Sequence, residues 1–414
     1  MMNERQAADD ASLPLGVVER RLILFFCFMA ALVDGVDAQT LALTVPLMAR
    51  EWGAPVETFG LAFVAFSVGL IAGSVGAGWT ADKVGRKITL LVSVLLVGSF
   101  TSLVPLTNTV TTLSLARLVT GAGVGGALVC IIAICTQALG REAGARAALL
   151  VYVGAPVGYL AASLGGSPLL ETGNWRLLFY IAGILPIVVG VAMYFLLPQI
   201  RLAAAAAELS PGASSASREK EGLFGGTQTA RTLMLWLVML LSFSATYLLI
   251  SWLPSLLTLA GMSAANAARS GSVIFVGTIF GTLAFAAISA RFSIGTLLTW
   301  AFALGTAAAL LLHFLGAASG PAALVALLLL GMALIGGQIA LMVFSASLYP
   351  DAYKGRGAGW AVGIGRIGSL LGPALGAVLI GWGLSNSTFL VLAGLLTACT
   401  VTIAVLNRML RGQL

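Results

Sequence analysis

Leu22-Ile-Leu-Phe-Phe-Cys-Phe-Met-Ala-Ala-Leu32-Val-Asp34-Gly-Val-Asp37-Ala-Gln39-Thr-Leu-Ala-Leu-Thr-Val-Pro46-Leu47 is an apolar run long enough to cross a bilayer as a helix, yet it carries two carboxylates in its middle. On a helix, Asp34 and Asp37 share a face and lie about 4.5 Å apart along the axis. A carboxylate at bilayer depth costs about 2.5–3.5 kcal/mol even on lenient insertion scales, so a pair kept there has a task. Two acids this close do not both ionise unless a cation intervenes.

The rest of the chain has the same character. Its 414 residues are 59% hydrophobic and 9% charged, far from the composition of soluble domains. Apolar runs of helix length recur, whereas the short alternating segments of an outer-membrane barrel do not, so the expected fold is an all-α polytopic membrane protein. Twelve spans are expected, at 22–47, 59–81, 88–106, 110–138, 147–168, 175–197, 231–258, 266–290, 294–317, 321–349, 356–382 and 385–407. The one sizeable polar stretch, 201–230, reads as a cytoplasmic linker between bundles at 22–200 and 231–407, with tails at 1–21 and 408–414. The first apolar run is too long for a cleavable signal.

Basic residues orient the spans. Seventeen of the 22 Lys and Arg fall on the side of the termini and linker, which is therefore cytoplasmic. Arg50, Arg176 and Arg269 fall on the other side, and Arg117 and Arg366 lie within the membrane. The net charge of +7 thus follows the bilayer and calls for no nucleic acid. Cys27, Cys130, Cys135 and Cys399 sit in apolar runs without metal-ligand spacing, and neither a nucleophile–base cluster nor a cofactor motif is present, so an enzyme is not expected.

The two halves show a weak internal repeat: Pro46 pairs with Pro254, Gly125-Gly126 with Gly336-Gly337, and Pro156 with Pro373. At that shift Asp34 falls on Ser242 and Asp37 on Ala245, so only the first half keeps the acids. Arg117 lies about 10 Å below the outer surface if its helix starts near 110, a depth similar to that of Asp37. A charge pair between them would relieve both desolvation penalties and serve either proton coupling or a permanent structural bridge. Arg366, flanked by Gly363, Gly365 and Gly368, has no acid in its own half to neutralise it within the membrane, and it calls for an anion, either a substrate carboxylate or, in the ligand-free state, Asp34 across the bundle. Asp34 and Arg366 are then the pair that a proton and a substrate carboxylate would share. Gln338 can hydrogen-bond a ligand, and Tyr152, Tyr159, Tyr247 and Trp252 are candidate cavity walls, with bundle packing as the alternative for each. His313, the one histidine, falls near the outer end of a span, where an anchoring role outweighs a proton relay.

Gly78-Trp-Thr-Ala-Asp82-Lys83-Val-Gly85-Arg86-Lys87, between the second and third spans, resembles the cytoplasmic loop of the major facilitator superfamily. The spans, inward termini and central linker agree with that superfamily along the whole chain. The resemblance implies that this loop is a conformational latch, in which the glycines permit a tight turn and close helix contact while Asp82 can cap the next helix and pair with a neighbouring cation. The stretch Leu113-Ser-Leu-Ala-Arg117-Leu-Val-Thr-Gly121-Ala-Gly123-Val-Gly125-Gly126 resembles the superfamily's helix 4 signature. Within the superfamily, Asp34-Gly-Val-Asp37, Tyr349-Pro350 and Trp360-x5-Arg366-x-Gly368 resemble the aromatic acid:proton symporter branch, and the compact length most resembles its hydroxyphenylpropionate-type members.

That branch implies proton-coupled uptake of a small aromatic carboxylate by alternating access, in a monomer in the bacterial inner membrane. It implies proton-coupling roles for Asp34, Asp37 and Arg117, and a substrate role for Arg366. Where the branch usually has Arg-x-Thr-Gly, this chain has Lys354-Gly-Arg356-Gly357, which keeps the charge and loses the threonine. The rival readings are a proton-coupled exporter of drugs or organic cations, against which Arg366 argues, and a membrane sensor, for which no soluble signalling domain is evident.

Overall fold

The computed structural model describes residues 16–140, 143–144, 147, 150–197, 227–289, 291–317, 320–349 and 354–411, the side chains of 227, 346–347, 354–356 and 411 excepted. The expected linker up to 226, Arg141, Arg146 and Pro350 lie outside the described residues, as do the side chains of Lys354 and Arg356. All regular structure among the described residues is helical.

The helices are α1 (Val17–Trp52), α2 (Gly60–Val84), α3 (Arg86–Leu103), α4 (Val110–Leu139), α5 (Gly154–Glu171), α6 (Trp175–Leu196), α7 (Thr227–Leu259), α8 (Ala264–Ile288), α9 (Ile294–Leu315), α11 (Lys354–Gly381) and α12 (Ser387–Arg411). Between α9 and α11, helix α10 is made of Pro321–Leu330, a π-helical turn Gly331–Ile335, and Gly336–Ser347. Eleven of these are long and apolar enough to cross a membrane; α5, with 18 residues and four glycines, is not among them.

The helix starts follow from side-chain caps. Thr109 accepts from Thr112 N–H at 3.2 Å, Asn174 from Leu177 N–H at 3.2 Å, Ser263 from Asn266 N–H at 3.3 Å, and Ser293 from Thr296 N–H at 3.4 Å. Each satisfies a donor that the first helical turn would leave orphaned. Helix α1 begins five residues before the expected 22, because Glu19 reaches back to the Gly16 N–H at 2.9 Å, one half of a capping box. Helix α5 begins later than the expected 147. Pro156 has no N–H to return to the Tyr152 carbonyl, which is taken instead by Ala155 N–H at 3.2 Å, and the chain turns at Tyr152-Val153 before helix resumes.

The chain forms two compact units. The first contains α1 as far as Thr44 and the chain from Leu61 through α6. Here α2 and α4 cross at backbone contact: a β-carbon at Gly121 would overlap the Phe66 carbonyl. Between α1 and α5 the same holds for Gly158 against the Leu32 carbonyl. Small residues at such crossings substitute close packing for the hydrophobic drive that lipid cannot supply. Gly121→Val is therefore expected to destabilise the protein by more than about 1–3 kcal/mol, the usual cost of overpacking, because backbone and not a side chain must yield. Thermal unfolding of the purified protein in detergent checks this, and an unchanged midpoint would refute it.

The second unit holds Val45–Gly60 and the chain from α7 onward. The end of α1 and the following 3-10 turn therefore cluster with α7 and α11: a β-carbon at Gly60 would press on Ala377 and Trp252. Trp52 and Phe59 stack at 5.6 Å. Trp252 is fully buried and donates its indole N–H to the Pro373 carbonyl at 2.9 Å. Of the two roles considered for it, packing between α7 and α11 is the one it fills.

Candidate substrate and proton site

In the first unit, Arg117 Nη1 meets Asp37 Oδ1 at 2.8 Å, with the arginine 1% exposed and the aspartate 0%. Helix α4 brings the guanidinium in from its second turn, and α1 meets it at the depth its sequence position implies. The Thr101 hydroxyl of α3 also donates to Oδ1. The guanidinium lies 4.8 Å over the Phe66 ring of α2, so four helices hold the pair.

Both donors converge on one carboxylate oxygen. Asp37 Oδ2 and Arg117 Nε have no hydrogen-bond partner among the described residues. A buried structural bridge gains most from a two-pronged match, which spreads the desolvation cost over two hydrogen bonds. This pair instead leaves one buried carboxylate oxygen unmatched. Asp34, one turn earlier, is half-buried rather than buried, so the two acids occupy different environments despite their shared face.

Gln39, two residues beyond Asp37, turns toward α5, where its amide donates to Ser163 Oγ at 3.0 Å; both residues are buried. Tyr159, half-buried, lies one turn before Ser163 on the same helix. Tyr152 donates to the Leu128 carbonyl at 2.9 Å and thereby ties the chain before α5 to α4.

In the second unit, Arg366 is half-buried on α11. Tyr247 Oη lies 3.4 Å from its Nη1, and the Phe243 ring lies 5.7 Å from its Cζ. Phe243 and Tyr247, one turn apart on α7, hold nearly parallel rings with centroids 6.3 Å apart. Gly365 and Gly368 let α11 approach this aromatic pair, since a β-carbon at either would press on Phe243. Among the described residues of this unit Arg366 makes no ion pair. Gln338 follows the π-turn of α10, is 7% exposed, and leaves its amide nitrogen without a partner. Of the residues expected to bind substrate, Arg366 and Tyr247 touch, while Gln338 hydrogen-bonds to neither.

The loop between α2 and α3 turns at Gly85, whose φ of +94° suits glycine. Asp82 does not cap α3: it is still within α2, exposed, and the cap position belongs to Gly85. Gly78 has open space where a β-carbon would stand, so it makes no close helix contact. The basic residues carry the contacts instead. Arg86 donates to the Ala133 carbonyl of α4 at 2.9 Å, and Lys87 donates to the carbonyls of Tyr194, at 3.2 Å, and Leu197 at the end of α6. Lys87 thus satisfies carbonyls left over at the negative end of α6, while Arg86 reaches a carbonyl inside α4. Lys83 sits 3.6 Å over the Trp79 ring.

His313 binds the turn before α12. Its Nδ1 lies 3.1 Å from the Asn386 carbonyl, and the Asn386 amide donates to the His313 carbonyl at 3.3 Å, the arrangement of an anchor. Among the described residues no group of three or more His, Cys, Asp or Glu could hold a metal ion.

Residues 27–373 match the sequence model of the Major Facilitator Superfamily. The chain belongs to this superfamily. Its fold agrees: the crystal structure of a D-xylose-proton symporter, 15% identical, superposes with a TM-score of 0.75 over 92% of this chain and 96% of that one. Superfamily members similar in sequence are transporters of aromatic acids. The 4-hydroxybenzoate transporter PcaK of Pseudomonas aeruginosa is 28% identical, covering 95% of this chain and 93% of its own. The 3-(3-hydroxy-phenyl)propionate transporter of Escherichia coli is 30% identical over 87% of each chain. The protein is thus a transporter of the aromatic acid branch and not an enzyme.

Proposed function

We propose that this protein takes up a small aromatic carboxylate together with protons, by alternating access, as a monomer in the inner membrane. The observation that carries the reading is Arg366: a cation within a membrane helix, without an acidic partner among the described residues of its unit, set beside an aromatic pair whose tyrosine offers a hydroxyl. A carboxylate supplies the missing charge and a ring supplies the stacking partner. An exported organic cation would be repelled by the same group. The aromatic acids carried by the relatives support this choice.

Protonation at Asp37 or Asp34 is the coupling step in this reading. The one-pronged bridge lets a proton on Asp37 Oδ2 weaken the hold on Arg117 without dismantling the helices around it. Moving a monoanion inward against −100 mV costs about 2.3 kcal/mol, which one proton cancels. We further place α5 as the twelfth span, its polar character reflecting a role at the cavity, with termini and linker on the cytoplasmic side by the distribution of basic residues.

Uptake of labelled aromatic acids by proteoliposomes under an imposed pH gradient tests the function. Accumulation is expected to follow the inward proton gradient and to vanish when a protonophore collapses it. Asp34→Asn and Asp37→Asn are each expected to reduce gradient-driven accumulation at least tenfold. Unchanged accumulation and pH dependence in both variants would rule out the coupling, and accumulation of a lipophilic cation in place of the acid would rule out the substrate class.

A further inference from the structure

We infer that Gln39 is a specificity-determining residue whose side-chain carbonyl accepts a hydrogen bond from a hydroxyl on the substrate ring; this rests on the proposed transport of aromatic carboxylates. The amide of Gln39 is fixed by donation to Ser163 Oγ at 3.0 Å, so its orientation is set by the protein and not by solvent. The opposite end, Oε1, is buried and has no partner among the described residues. A buried carbonyl without a donor is costly, and an apolar side chain of the same shape would remove that cost. A residue that keeps it, two positions along α1 from Asp37 and turned to α5, is poised for a donor that arrives with the load.

The donor a small aromatic acid can bring is a phenolic hydroxyl, since its carboxylate only accepts. The neighbours fit such a ring. Ser163 and Tyr159 are one turn apart on α5, which gives the same edge a fixed polar contact and an aromatic side chain. A site built to hydrogen-bond a hydroxyl rejects the analogue lacking it far more strongly than an apolar pocket rejects a methylene.

The experiment compares initial uptake of benzoate and of its 3-hydroxy and 4-hydroxy derivatives by proteoliposomes containing wild type, Gln39→Met or Ser163→Ala. Wild type is expected to favour at least one hydroxylated acid over benzoate by tenfold or more in kcat/KM. Gln39→Met is expected to abolish that preference by slowing the hydroxylated acid, with benzoate within about twofold of wild type. Ser163→Ala, which frees the amide without removing it, is expected to narrow the preference partway, and it keeps the test decisive where Gln39→Met does not fold. A wild type that carries aromatic acids with no preference for a hydroxyl, or a preference that survives in a folded Gln39→Met protein, overturns the inference and leaves the transport reading intact. No uptake of any aromatic acid overturns both.

Discussion

Arg117→Met is expected to be the most destabilising single change at the site, costing about 3–5 kcal/mol, because it strands the fully buried Asp37 carboxylate with only the Thr101 hydroxyl for company. Two charges bought out of water together are tolerable; one alone is not. Adding Asp37→Asn is expected to recover most of the loss, since a neutral amide in place of the carboxylate no longer needs a cation. The pair is therefore a double-mutant cycle with a large coupling energy, readable from unfolding midpoints in detergent. Restored stability is not expected to restore function: the double variant should bind substrate yet fail to accumulate it against a gradient, having no group at this position to carry a proton. Full stability in Arg117→Met alone would show that the carboxylate is neutral in the folded protein or finds another partner. Gradient-driven accumulation by the stable double variant would move coupling to Asp34.

The second large effect is expected at Arg366, and here stability should barely respond. Its guanidinium is half-buried and pairs with no acid among the described residues of its unit, so Arg366→Met removes a desolvation cost along with its contact to Tyr247. Substrate binding is expected to fall at least a hundredfold, equivalent to about 2.7 kcal/mol. Arg366→Lys is not expected to rescue it. Lysine keeps the charge, but it cannot present two parallel donors to a carboxylate or lie flat beside the Phe243 ring. Equilibrium binding of the labelled acid to purified protein separates this from a coupling defect, because the Asp37 variants should still bind. Wild-type affinity in Arg366→Lys would mean that a point charge suffices, and wild-type affinity in Arg366→Met would remove this residue from the substrate site.

Much of the architecture was legible because the relevant signals are local. Thr109, Asn174, Ser263 and Ser293 mark helix starts by their own hydrogen bonds, and the observed boundaries fall within two residues of those expected. Asp37 and Arg117 were matched by depth alone, which works in a membrane because each residue's height follows from its helix and the rise per residue. What could not be read depends on tertiary neighbours. Thr101 is an ordinary threonine in an apolar run, and nothing in its surroundings along the chain marks it as the third member of the pair. Trp252 looked as fit for a cavity wall as for the core until the Pro373 carbonyl claimed its N–H. Asp82 was a reasonable cap by spacing, but α2 runs on past it to Val84. The late start of α5 could have been anticipated from Pro156, whose missing N–H acts on the residues before it, not after.

The π-turn in α10 has a bearing on how this helix should be aligned and compared. Five residues, Gly331–Ile335, follow the wider i→i+5 bonding, so the helix carries more chain per turn there than its neighbours do. Any helical wheel drawn through Pro321–Ser347 at a constant angle loses phase at Gly331, and the side assigned to Gln338 rotates away from the one it occupies. A homologue that is one residue shorter in this turn would therefore present the same faces with an unbroken α-helix, and a gap placed there in an alignment is a conformational difference rather than a lost residue.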